Sequence, residues 1–189
     1  MPKVFIVRTG QTTLEAQDRI GPTGGAPLTE IGRRTVESVA AELVSQEIQA
    51  IYAGDGESEH QTAAAMSKAL GLKVRTSPDL RELDYGLWQG LTRAELKRRQ
   101  PRMYRQWAGR PDSVCPPGGE TLDRAQQRLK EALKNILKRA KGRNTLLVLR
   151  PVATGLLRCL LTGQGVGSLW RYVDAEFTWE SYEMDATSF

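Results

Sequence analysis

Histidine is almost absent: the 189 residues contain one, His60. Any mechanism that needs two histidines is therefore excluded before a motif is considered. Cysteine is nearly as scarce. Cys115 and Cys159 form no C-x-x-C spacing and no disulfide framework. One histidine with two distant cysteines argues against a structural zinc site, so neither a metal nor another cofactor is implied. Cys159 lies in the apolar run Leu156-Leu157-Arg158-Cys159-Leu160-Leu161 and reads as a packed small hydrophobe rather than a reactive thiol. Long hydrophobic runs are missing too. None approaches the ~18 residues of a membrane span, and Met1-Pro2-Lys3 leads straight into a strand-like segment rather than a signal peptide. The expectation is a soluble, cytoplasmic protein with no membrane partner.

What is present is ordinary globular composition, 40% hydrophobic and 26% charged, enough to bury a full core. Val4-Phe5-Ile6-Val7 is a short β-branched and aromatic run without polar alternation, as in a parallel strand covered on both faces. Similar signals recur at 48–53, 72–75 and 146–150. Helical patterns lie between them. Leu28, Ile31, Val36, Val39, Ala40 and Leu43 fall near a 3.6-residue period with Thr29 available as cap. A second helix is expected over 57–70, ending at the C-cap Gly71. The strongest starts near Thr121, where Leu122, Ala125, Leu129, Ala132, Leu133, Ile136 and Leu137 make one apolar stripe. A last helix covers about 153–161. Phe177 to Met184 alternates apolar with polar residues, the pattern of a half-exposed edge strand.

Strands alternating with helices predict an α/β fold: a three-layer α/β/α sandwich on a mostly parallel sheet, with an edge strand near the C-terminus. We assign residues 1–189 to one domain, with an insertion of loops and short helices at about 76–119.

Charge is uneven. Lys and Arg number 27 against 22 Asp and Glu, a net +5, yet residues 91–143 carry 15 basic and 5 acidic side chains, a local +10 that leaves −5 elsewhere. The segment fits an acidic partner or nucleic acid, or it is the solvated face of helices whose other face is core. Aromatic residues do not interleave with its charges, apart from Tyr104 and Trp107, which speaks against nucleic acid.

Five segments, in order, carry a resemblance: Val4 to Thr12 with Arg8-Thr9-Gly10-Gln11; Leu28-Thr29-Glu30-Ile31-Gly32; Ile51-Tyr52-Ala53 with Gln61-Thr62-Ala63; Leu80-Arg81-Glu82 with Gly86, Trp88 and Gly90; and Pro116-Pro117-Gly118-Gly119-Glu120-Thr121. Together they resemble the histidine phosphatase superfamily, the phosphoglycerate mutase-like fold, over nearly the whole chain. In that family the first strand ends in R-H-G, whose histidine takes a phosphoryl group. The resemblance puts Thr9 in its place, Ser58 in place of the second phosphate-clamping arginine, and Pro151 in place of the second histidine. Arg8 remains, and Glu82 matches the family's general acid, or serves as a salt-bridge partner of Arg81 or Arg8.

An imidazole is a good nucleophile near neutral pH, whereas a threonine hydroxyl needs a base beside it, and Thr9 has none evident. The loop Gly54-Asp55-Gly56-Glu57-Ser58-Glu59 adds three carboxylates where a phosphate would approach. The expected remnant site is Arg8, Thr9, Gly10, Gln11 and Glu82 with Arg150. Arg150 either joins Arg8 as a second cation for a carboxylate or phosphate, or pairs with Glu82 or the acidic loop. Gly10, Gly86 and Gly90 would keep the backbone turns. His60 either faces the crevice as a base for Thr9 or is a surface residue.

The resemblance thus implies a pseudoenzyme: a binding or scaffold domain for a small anion or a protein partner. The alternatives are an altered phosphomonoesterase using Glu82, and an acidic-partner or nucleic-acid surface on residues 91–143.

Overall fold

A computed structural model of the protein describes residues 1–173 and 179–184. Among the described residues five strands form one sheet: β1 (Lys3–Arg8), β2 (Ala50–Ala53), β3 (Val74–Thr76), β4 (Thr145–Leu149) and β5 (Trp179–Glu183), in the order β3-β2-β4-β1-β5. All neighbours are parallel except β5, which runs antiparallel along β1 with Val4 opposite Tyr182. The described residues also form seven α-helices: α1 (Glu30–Leu43), α2 (Glu57–Leu70), α3 (Arg93–Arg99), α4 (Pro101–Gly109), α5 (Leu122–Ala140), α6 (Pro151–Leu161) and α7 (Leu169–Val173). Among the described residues no helix is long and apolar enough to cross a membrane.

The central strands have both faces buried because each face meets its own helices. Phe5, Val7, Ile51, Ala53, Leu146 and Val148 pack with Val36, Val39 and Leu43 of α1 and Met66 of α2. Val4, Ile6, Tyr52, Leu147 and Leu149 pack on the other side with the α5 stripe and with Val152, Leu156 and Leu157 of α6. The three-layer α/β architecture expected from the sequence is the one observed. The C-cap at Gly71 holds, with φ +67°, and Thr29 and Thr121 cap α1 and α5 through their hydroxyls. Cys159 is fully buried, and burial pushes its thiol up to about 11.

Several boundaries differ from expectation. β2 starts at Ala50 rather than 48, β3 is shifted to 74–76, β4 covers 145–149, and α6 starts at Pro151 rather than 153. Proline suits a first helical position because its missing N–H would have no partner there. Ile31 is 68% exposed instead of joining the apolar stripe. Gly32 takes the inward position, pressed against the Gln11 backbone. Of the predicted edge strand, Phe177 and Thr178 lie outside the described residues.

The stretch between β3 and α5 carries α3, α4 and short 3₁₀ turns. Trp107 anchors it, packed edge-on to Tyr85, Trp88 and Trp170 with centroids 5.3–6.1 Å apart. Arg128 of α5 reaches back to the start of this stretch. It grips Glu120 at 2.7 and 3.0 Å and donates to the carbonyls of Asp79 and Arg81.

Candidate functional site

The carboxyl ends of the adjacent parallel strands β1 and β4 open into a crevice, the position where α/β sheets bind ligands. β1 ends at Arg8, Arg150 follows β4, and the Thr9 amide donates to the Leu149 carbonyl at 2.8 Å, which fixes the two ends side by side. The cavity there has a volume of about 730 Å³. Arg8, Thr9, Gly10, Gln11, Glu82, Arg150 and Pro151 all line it, so the structure brings the remnant positions together, with two exceptions. Ser58 is fully buried beside Glu59 and does not reach the cavity. His60 is exposed on α2 and lines no part of it, so the surface reading applies and a base for Thr9 does not come from there.

Each charged group in the crevice is already engaged by the chain. The Arg8 guanidinium donates to the Val173 carbonyl at 3.1 Å and to Glu15 at 3.4 Å. Glu15 is held by a reciprocal cap: its carboxylate accepts the Thr12 amide at 2.7 Å, and its amide donates to the Thr12 hydroxyl at 3.1 Å. Arg150 donates to the carbonyls of Pro22 and Thr23 at 2.8 and 3.1 Å, tying down the loop that crosses the crevice. It has no carboxylate within 4 Å among the described residues, so it makes neither direct pair expected from the sequence. It is close enough to Glu59, however, to act on it electrostatically.

Glu82 is 3% exposed, fixed between the fully buried Leu80 and the nearly buried Leu83. Its carboxylate accepts the amides of Leu83 at 2.9 Å, Val152 at 3.0 Å and Ala153 at 2.7 Å. It caps α6 at the positive end of the helix dipole, and it pairs with neither Arg8 nor Arg81, which turns to Glu120. Burial raises the phenol of neighbouring Tyr85, and the Glu82 charge adds to the effect.

The acidic loop also differs from expectation. Asp55 and Glu57 are exposed, and Glu57 accepts from the Gln61 amide at 2.6 Å. Only Glu59 turns inward. It is fully buried, Oε2 accepts the Ser58 hydroxyl at 2.9 Å, and Oε1 has no partner among the described residues. Burial pushes its carboxyl above the ordinary 4.5, against the opposing pull of Arg150 and Ser58. Gly54 and Gly56 wrap it so closely that a Cβ on Gly56 would stand 2.6 Å from Oε2. The Thr9 hydroxyl, 5% exposed, likewise has no partner among the described residues.

The glycines have separate reasons. Gly10 is required by close approach, since a Cβ would meet the Gly32 carbonyl at 2.6 Å, whereas Gly86 and Gly90 adopt φ of +50° and +80°. The lining also includes apolar side chains from both cores, Val36 and Val39 of α1 from one and Leu96, Tyr104, Trp107 and Trp170 from the other. Glu15 and the inward turn of Glu59 were missed in the sequence; Glu15 carries a signal, the capping-box spacing Thr12-x-x-Glu15, whereas α2 is capped by Gly56, which has no side chain to reciprocate with Glu59. No group of three or more His, Cys, Asp and Glu able to hold a metal occurs among the described residues.

Comparison with known proteins places this geometry. A model described as the histidine phosphatase superfamily, branch 1, matches residues 4–188. The chain is 33% identical over 170 residues to the "Bifunctional protein Rv2228c" of Mycobacterium tuberculosis, covering 89% of this chain and 46% of that one. It thus spans about half the length of that relative. It is also 33% identical over 163 residues to a "Probable phosphoglycerate mutase GpmB" of Yersinia enterocolitica, covering 86% of this chain and 76% of the other. The solved structure of Bacillus stearothermophilus YhfR matches with a TM-score of 0.91 at 24% identity, over 98% of this chain and 93% of that one. At that identity the likeness is one of fold.

Proposed function

The chain belongs to branch 1 of the histidine phosphatase superfamily, and from that premise we propose that it keeps the family's fold without phosphohistidine chemistry and serves as a binding domain. One observation carries the reading: the chain's own groups occupy the positions an anion would need. Phosphoryl transfer spreads negative charge over three equatorial oxygens and depends on free, positioned cations. Here Glu15 and the Val173 carbonyl hold Arg8, and the carbonyls of Pro22 and Thr23 hold Arg150. A hydroxyl nucleophile needs a hydrogen-bonded base, and the Thr9 hydroxyl has no partner among the described residues. A general acid must reach the leaving group, whereas both oxygens of Glu82 accept backbone amides.

The cavity nevertheless persists at about 730 Å³, a size suited to a small organic molecule. Its apolar side chains favour a ring-bearing body, and a single carboxylate or phosphate on that body would have to displace Glu15 from Arg8 or the Pro22 and Thr23 carbonyls from Arg150. Such a ligand leaves unchanged.

The test assays the purified chain against aryl and alkyl phosphate monoesters from about pH 4 to pH 8, with calorimetric titration of the same esters and of matching carboxylates. No turnover is expected, together with binding that Ala108→Trp at the cavity wall abolishes. Turnover that disappears in Arg8→Ala would overturn the reading in favour of an altered phosphomonoesterase.

A further inference from the structure

The basic segment 91–143 does not form one surface. Arg93 pairs with Asp18 at 3.2 Å, Arg99 approaches Glu95 at 3.9 Å, and Arg128 is spent inside the fold on Glu120 and three carbonyls. Three arginines are treated differently. Arg102, Arg105 and Arg110 line an open groove along the outer face of α4, with Gln106, Gly109 and Ser113 completing it, and its volume is about 520 Å³. All three are exposed, and among the described residues none has a carboxylate within 4 Å. The nearest acid in sequence, Asp112, lies with its carboxylate against Gly167, where a Cβ would be 3.6 Å away, and it does not line the groove. Gly109 leaves open space rather than meeting a neighbour.

Like charges three residues apart on a helix repel each other, and an acid at the same spacing relieves the repulsion. α4 has none. The cluster is therefore a standing electrostatic demand for an external anion, on the side of the helix away from the crevice. We propose that this face of α4 docks an extended, carboxylate-rich segment of a partner protein.

Three features choose that occupant. Guanidinium groups bind carboxylates through paired, parallel N–H bonds, so three forks read several carboxylates and not one small ion. The stretch from Arg102 to Arg110 rises about 12 Å along the helix, the length of roughly four extended residues, whose side chains on one face recur every ~6.6 Å. A single nucleic-acid strand would need aromatic faces for its bases, but Tyr104 and Trp107 both line the crevice on the other side of α4. The groove is separate from the crevice, so the proposal stands independently of what the crevice binds.

A fluorescein-labelled alternating Asp-Glu decapeptide, titrated with the full chain and followed by anisotropy, tests it. A thymidine oligonucleotide of equal length and label serves as the competing class. The peptide is expected to bind, more weakly at higher salt because the contacts are ionic. Arg102→Glu with Arg105→Glu should weaken it by about tenfold or more, with an unchanged melting curve. The same charge change on α5, Arg124→Glu with Lys138→Glu at exposed positions, should leave it within about twofold. Absent binding, an equal loss in the α5 variant, or tighter binding of the oligonucleotide would overturn the proposal. So would a self-associated chain that the α4 variant converts to monomer, which would make a second copy the occupant.

Discussion

Glu59 is costly to keep where it is. A fully buried carboxylate with one oxygen unpartnered is offset only in part by the Ser58 hydroxyl and the Arg150 charge. Its pKa is raised in the folded state from 4.5, so between 4.5 and the folded value the native chain binds more protons than the unfolded one. Its contribution to stability is therefore fully present below about pH 4.5. That contribution is lost as pH rises through the folded pKa. Denaturant titrations of the wild type and of Glu59→Gln at several pH values should diverge in this window. The variant should become the more stable by on the order of 1 kcal/mol at high pH, and parallel curves would show that the carboxyl does not titrate there. At this scale the sequence was half informative. The cap around Glu15 carries a local signature three residues long, whereas nothing local marks Glu59 as turning inward. Arg150 could not be read, because its acceptors are backbone carbonyls 127 and 128 residues away, and a carbonyl has no residue type to recognise.

At the scale of elements, the periodicities placed α1, α2 and α5 and their caps well, because each is long enough to bury a stripe and each is capped by its own neighbours. Where a boundary depended on a distant group, the reading slipped. α6 starts earlier than expected because Glu82 supplies acceptors for the amides of Val152 and Ala153 from 70 and 71 residues away. Glu82 therefore has an architectural role, as the cap of α6. Glu82→Ala should cost about 2–4 kcal/mol in equilibrium unfolding, since it leaves buried helix-end amides unpaired. Glu82→Gln, which keeps one carbonyl acceptor, should cost less. A stability unchanged in both variants would return the residue to a purely chemical part. Ile31 illustrates the same limit on the other side. It sits about 100° round the helix from Gly32, and the close seat of Gly32 on the Gln11 backbone decides which of the two faces inward.

For the whole molecule, the sheet and its two helix layers were legible because a doubly covered parallel strand has no polar alternation, and the segments of β1, β2 and β4 lack it, whereas Leu72-Lys73-Val74-Arg75 alternates and its strand β3 lies half-exposed at the sheet edge. The layout of the crevice was legible only as a set of positions, not as contacts. Stability should be divided accordingly. β1, β2 and β4 are buried between two cores, while α3 and α4 bury only Leu96 and Trp107. Amide exchange followed by mass spectrometry should therefore find the central strands protected up to global unfolding and the α3–α4 amides released earlier by local opening. Equal protection throughout would contradict that division.

The indole cluster has an optical consequence. Trp107 stands edge-on to Trp88 at 5.6 Å and to Trp170 at 5.3 Å. Rings held so close at fixed, oblique angles couple their electronic transitions, and the coupling appears as paired bands of opposite sign in circular dichroism. Because the three indoles come from α4, α7 and the turn before α3, the couplet is a label-free gauge of whether the α3–α4 arm is seated. It fades when the arm lifts, whatever becomes of the rest of the chain.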